Sequence, residues 1–228
     1  MIDINNQKPV KQDLSRDGIR KPLLIKEIFD TIQGEGPLAG CPATFVRLGG
    51  CNLQCMYCDE DYTTNLVEMN VSAIVDACNE PLVVLTGGEP FAQNISLLCH
   101  TLLDAGKSVQ VETNGTLETP GFPWSEVDVV VSPKINQLSP GIKHHATVYK
   151  YVVGVEDKDS KDGLPSKSSQ GSKVLPAKPP NNYSKVYLMP RDDKNEIENQ
   201  ANRMTAAHLV MKHGKILTMQ LHKWVGLK

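Results

Sequence analysis

The sequence predicts an α/β protein built on a parallel β-sheet. Three observations predict it. Short runs rich in β-branched residues recur along the chain. Most are near-continuous in apolar residues, as in parallel strands buried on both faces. Helical patterns stand between several of them, the order expected of strand–helix–strand units. At 228 residues the chain can bury a sizeable core without disulfide staples. Right-handed crossovers then allow an open or a closed barrel.

The elements follow in order. Residues 1–22 are polar and aperiodic, which predicts a loose N-terminal arm, and 23–228 read as a single domain. Strands are expected at ATFVRL (43–48), LVVLT (82–86), KSVQVET (107–113), VDVVVS (127–132), VYKYVV (148–153), KVYLM (185–189) and KILTMQ (215–220). Helices are expected over Asn70–Asn79, Asn94–Ala105 and Glu196–His213. The last has apolar or small residues at Ile197, Ala201, Met204, Ala207, Leu209 and Met211, and Gly214 is placed to end it. Glu156–Ser184 is rich in Lys, Ser, Gly, Pro and Asp. It reads as a flexible surface loop rather than a lid.

Composition narrows the function. Lys and Arg number 24 against 26 Asp and Glu, a net charge of −2, so no basic bias points to nucleic acid or an acidic membrane. The N-terminus lacks the apolar run of a signal peptide, and no stretch reaches a membrane span. A cytoplasmic protein is expected. Six cysteines in a chain of this size do not make a disulfide scaffold.

Three of those cysteines crowd into GGCNLQCMYCDED: Cys51, Cys55 and Cys58, spaced C-x3-C-x2-C. A structural zinc site wants four ligands. Cys41 is the nearest candidate for a fourth, but Pro42 and a predicted strand carry the chain away from it. An iron–sulfur cluster also normally takes four cysteines. A [4Fe–4S] cluster held by three leaves one iron open to an outside ligand. A second motif, Thr86-Gly87-Gly88-Glu89-Pro90, ends the strand LVVLT. Paired glycines there let a backbone approach a ligand closely, or make an ordinary strand-to-helix turn.

The three-cysteine spacing, with Tyr57 just before Cys58, resembles the signature of the radical S-adenosylmethionine superfamily, and the GGEP turn follows in the order found there. FDTIQGEGPLAGCPATFVRLGGC (29–51), VETNGT (111–116), VSPKIN (131–136) and QLHKWVGLK (220–228) further resemble the 7-carboxy-7-deazaguanine synthase family. The resemblance implies a partial, open parallel β/α barrel. It implies a [4Fe–4S] cluster on Cys51, Cys55 and Cys58. It implies S-adenosylmethionine against Tyr57, Cys58, Asp59, Gly88, Ser132, Pro133, Lys134, Met189, Pro190, Arg191 and Asp192, although relatives usually carry Gln at the position of Met189. Substrate contacts are implied at Ile32, Gln33, Gly34, Glu35, Arg47, Thr86 and, through the backbone, Lys228. The resemblance further implies a carboxypterin as the substrate class, and a second copy of the chain and a flavodoxin- or ferredoxin-type reductant as partners; no direct nucleic acid or membrane partner is expected.

These positions also have their own readings. Gln33 and Glu35 offer an amide and a carboxylate to a pterin edge, or belong to a Gly-rich turn. Arg47 sits in an apolar strand and needs a partner, either a salt bridge or a substrate carboxylate. The family pattern after the last cysteine is Asp then Thr or Ser, whose hydroxyl ligates Mg2+; this chain has Cys58-Asp59-Glu60. Glu60 is expected to take the metal, since Mg2+ accepts one or two carboxylates. Cys41, Cys78 and Cys99 are expected to be packing residues, and His100, His144, His145, His208 and His213 surface or helix-end residues. Two rival readings share the cysteines: an activating enzyme that places a glycyl radical on a partner protein, and a zinc-stapled interaction module.

Overall fold

The computed structural model describes residues 7–171, 174–180 and 184–228. One nine-stranded sheet runs through them in the order β3-β1-β2-β4-β5-β6-β7-β8-β9. β1 (Leu23–Ile32) pairs antiparallel with β2 (Pro42–Leu48) and β3 (Val67–Met69). From β2 onward every pairing is parallel, through β4 (Leu82–Gly87), β5 (Ser108–Thr113), β6 (Asp128–Val131), β7 (Val148–Val153), β8 (Lys185–Pro190) and β9 (Ile216–Leu217). β3 and β9 are edges, so the sheet is open, as a partial barrel requires.

The strands alternate more than their composition suggests. Val83 and Leu85, Val109 and Val111, and Tyr149 and Tyr151 lie in the main core on the sheet's outer face. Each fully buried side chain of this kind contributes ~1.5–3 kcal/mol. The intervening residues therefore point to the concave face. They include Phe45 and Arg47 of β2, Thr86 of β4, Gln110 and Glu112 of β5, and Lys150 of β7. The expectation of strands apolar on both faces is corrected here: the inner face carries charge, because it faces a cavity.

The helices cover the outer face. α1 (Val71–Asp76) packs on α2 (Ser96–Asp104), whose Leu98, Cys99 and Leu102 are fully buried. α3 (Pro140–His145) inserts Ile142 into the same core. α4 (Glu196–His213) packs on β8 and β9. The Asn195 side chain accepts from the backbone N–H groups of Ile197 and Glu198 at its start, and Gly214 ends it in the left-handed region at φ 62°. Its inward face is Asn202, Thr205, Ala206 and Leu209. Ile197, Met204 and Met211 point to solvent instead, at 82%, 68% and 88% exposure. A four-residue helix, α5 (Leu221–Trp224), follows β9.

Four expectations need correction. β1 and β3 did not stand out, because Lys26, Glu27 and Asp30 interrupt an antiparallel strand with only half its surface covered. The last strand is two residues long, not six. Cys41 is exposed, whereas Cys78 and Cys99 are buried. The N-terminal arm, from Gln7 on, is a strap. Val10 N–H donates to the Cys51 carbonyl at 2.8 Å, and Asp13 N–H to that of Ala92 at 2.8 Å. The Gln7 amide donates to the Glu60 carbonyl at 2.7 Å and accepts from Tyr62 N–H at 2.8 Å. Residues 1–6 of that arm lie outside the described residues.

The segment expected to be a surface loop at 156–184 also has buried parts. Ser168 and Ser169 are almost fully buried, and the Tyr151 hydroxyl donates to the Ala177 carbonyl at 2.7 Å. Residues 172, 173 and 181–183 lie outside the described residues.

Candidate active site at the ends of the parallel strands

The cysteine loop begins where β2 ends. Gly50 turns the chain at φ 84°. The turn after β4 is pressed against it. Gly88 N–H donates to the Leu48 carbonyl at 3.1 Å, and Glu89 N–H to the Gly50 carbonyl at 2.8 Å. A Cβ on Gly88 would lie 2.0 Å from the Gly50 oxygen and 3.1 Å from the Cys51 Cβ. The GGEP turn thus closes on the cysteine loop itself. The NGT stretch joins them. Asn114 donates to the Asn52 side-chain oxygen at 2.9 Å, and Asn52 donates to the Thr116 hydroxyl at 2.8 Å. The fully buried Glu89 carboxyl accepts from the Thr113 hydroxyl and from the N–H groups of Asn114 and Phe91. Burial pushes it up to about 7 despite those hydrogen bonds.

Cys51, Cys55 and Cys58 line one cavity of about 250 Å3 at the C-terminal ends of the strands, where parallel sheets build sites. Burial, then Glu89, push the Cys51 thiol up to about 12, and burial raises Cys58. A bound cationic centre reverses that cost, because a coordinated thiol is deprotonated outright. Among the described residues no three His, Cys, Asp or Glu side chains converge on a single ion. A cluster does not ask for that, since each thiolate takes its own iron. A zinc staple does ask for it, and Cys41 cannot complete one. It precedes β2 while Cys51 follows it, and seven strand residues span roughly 23 Å. Three thiols around one cavity, with a side-chain-free turn packed behind them, fit a three-cysteine cluster.

Much of the rest of the cavity lining is ionic. Arg47 donates through Nε to Glu27 at 3.0 Å and pairs through Nη1 with Glu60. Burial raises Glu60, and Arg47 partly offsets it. Lys150 pairs with Glu35 and lies 3.7 Å from Glu112. Burial works against both charges, but the pairing wins: Glu35 is held below, and Lys150 above, its ordinary value. The Gln33 amide donates to Gln110 and, at 3.1 Å, to Glu112. Gln220 donates to Glu35 at 3.0 Å. Lys134 is half-buried with its amine on the Ser132 hydroxyl, and desolvation lowers its pKa. The Lys228 carbonyl accepts from Thr31 at 2.8 Å, and its amine pairs with Glu27.

All the anticipated site residues line this cavity except Ile32, Gly34 and Pro133. Gly34 is nevertheless tight, since a Cβ there would meet the His222 ring at 1.9 Å. Sequence reasoning missed Lys150, His222 and Gln220. The signal for Lys150 was the one used for Arg47, a charge inside an apolar strand.

No family model matches the chain. Curated relatives do. It is 38% identical to 7-carboxy-7-deazaguanine synthase of Rhodospirillum rubrum, over 90% of this chain and 93% of that one. It is 34% identical to the enzyme of the same name from Rickettsia prowazekii, over 96% and 94%, and 31% identical to that of Aquifex aeolicus, over 93% and 99%. Among solved structures, QueE from Escherichia coli matches with a TM-score of 0.66 at 25% identity, covering 88% of this chain and 95% of that one. Neither the glycyl-radical nor the zinc reading is favoured by these likenesses, and the chain belongs to the 7-carboxy-7-deazaguanine synthase family.

Proposed function

We propose that this enzyme converts 6-carboxy-5,6,7,8-tetrahydropterin to 7-carboxy-7-deazaguanine and ammonia, a lyase step of deazapurine (queuosine-type) biosynthesis. One observation supports this most: three thiols and a buried ionic inner face meet in a single cavity. S-adenosylmethionine on a [4Fe–4S] cluster supplies a 5′-deoxyadenosyl radical when both are bound. Cys51, Cys55 and Cys58 would hold the cluster. Tyr57, Asp59, Gly88, Ser132, Lys134 and Met189–Asp192, which line the cavity, would contact the cofactor, together with Pro133. Arg47, whose Nε and Nη1 pair with Glu27 and Glu60, would turn its guanidinium to the substrate carboxylate by exchanging one of those partners. Gln33, Glu35 and Thr86 present donors and acceptors to the pterin edge, and Lys150 and Glu112 fix Glu35 and Gln33 in place. The chain's task is to position the substrate and keep water from a reactive centre. No helix among the described residues is long and apolar enough to cross a membrane.

Glu60 is the proposed Mg2+ ligand. Its place in the cavity lining beside the cysteine loop supports this, and the carboxylate would exchange its ion pair with Arg47 for the cation when the metal is bound. The reductant is an external flavodoxin- or ferredoxin-type donor, and the assembly a homodimer.

The test is product analysis with iron and sulfide assays on anaerobically purified protein. Wild type is expected to carry the cluster and release carboxydeazaguanine. Replacing any one of Cys51, Cys55 or Cys58 by Ala should abolish both, while the Ala variants of Cys41, Cys78 and Cys99 keep activity. Full turnover by Cys55→Ala, or zinc without iron in wild type, overturns the reading.

A further inference from the structure

We propose that Gln170 and Ser169 are redox-positioning residues: they donate hydrogen bonds to the Cys55 sulfur and raise the reduction potential of the centre that sulfur holds. This rests on the cluster assignment above and gives the 156–184 segment a task.

The contacts are specific. The Gln170 amide nitrogen lies 3.0 Å from Cys55 Sγ, and the Ser169 hydroxyl 3.4 Å from it. The first is within hydrogen-bonding distance, and the same amide nitrogen also lies 3.2 Å from the Ser169 hydroxyl. Both donors are held in place. Gln170 accepts through its side-chain oxygen from Gln54 N–H at 3.2 Å, which leaves the amide NH2 facing the sulfur. Its own N–H donates to the Ser168 hydroxyl at 3.1 Å. The Ser169 carbonyl accepts from Met56 N–H at 2.8 Å. Ser169 itself is 1% exposed. Two consecutive residues thus grip the cysteine loop on both sides of Cys55 by backbone and side chain. No packing argument requires an amide aimed at a thiol, for an apolar side chain would cover it equally well.

The physical effect has a definite sign. A centre held by three thiolates gains one negative charge when it takes an electron from the external low-potential donor. Hydrogen bonds to a ligating sulfur draw off electron density and stabilise that more negative state. Removing them moves the potential down. Opening the segment to water does the reverse, because solvent also stabilises the more highly charged state. Direction therefore separates a lost hydrogen bond from a merely displaced loop.

The experiment is a dye-mediated redox titration of the reconstituted holoenzyme, followed by the cluster's absorbance and electron paramagnetic resonance, with iron counted per chain. Gln170→Leu is expected to retain iron and to shift the midpoint to more negative values. Ser169→Ala should shift it the same way by less, as its bond is longer, and the double variant should shift furthest. An unchanged midpoint in iron-loaded Gln170→Leu overturns the inference, and so does a shift to more positive values. If Gln170→Leu does not fold, Ser169→Ala decides alone by the same two criteria. Absence of iron from wild type instead overturns the function reading, so the two failures are told apart.

Discussion

Lys150 and Glu60 show what single side chains do in this cavity. Lys150 is almost fully buried between Glu35 and Glu112. Neutralising one member of such a group leaves its partners as uncompensated buried charges, a loss of about 3–5 kcal/mol. Lys150→Met should therefore lower the melting temperature clearly, and adding Glu35→Gln should restore part of the loss; thermal denaturation of the two variants checks this. Glu60 makes a different demand. If it ligates Mg2+, Glu60→Gln should raise the Mg2+ concentration needed for half activity and leave the melting curve little changed. An unmoved titration removes Glu60 from the metal site. Both residues stand in short polar interruptions of otherwise ordinary stretches. Glu60 was legible because it departs from a motif. Lys150 has no motif around it, and only the pleat of β7 reveals which way it points.

At the level of elements, the sequence carried local signals well and distant ones poorly. The end of α4 was readable from Gly214, because caps are local chemistry. Its inward face was not: Asn202 and Thr205 are polar, yet Asn202 is used by the Arg191 carbonyl and by Val155 N–H. The N-terminal strap was unreadable for a similar reason. Its residues pair with backbone groups far along the chain, and polar composition does not distinguish a bound strap from a loose arm. The strap has a testable consequence. Gln7→Ala removes a donor and an acceptor from buried backbone groups beside the cysteine loop, at a cost of about 1–3 kcal/mol. Amide hydrogen exchange at Tyr62 should accelerate, while exchange in β4 and β5 stays slow. Equal protection at Tyr62 in the variant would show that the strap does not hold the loop.

Across the whole molecule, the fold class was legible from strand–helix alternation. The antiparallel lead-in was not, because Lys26, Glu27 and Asp30 interrupt a strand whose Leu23, Ile25 and Ile28 pack in the core. One feature of the outer surface bears on assembly. Ile197, Met204 and Met211 recur every seven residues on α4 and are exposed, so they form one stripe on the helix. A second copy of the chain is the expected cover. Light scattering on wild type should give a dimer, and Met204→Glu should shift it towards monomer without loss of helix content. A wild-type monomer at micromolar concentration would leave the stripe unassigned.

Gly88 has no room for even one extra carbon beside Gly50 and Cys51. The turn that would meet the cofactor and the loop that would hold the metal are therefore one mechanical part assembled from two places in the chain. A wedge as small as an alanine methyl would drive them apart. An engineer who wished to respace the three thiols, or graft them onto another sheet, would have to move the β4 turn with them. The transferable unit is the pair, and neither half is portable by itself.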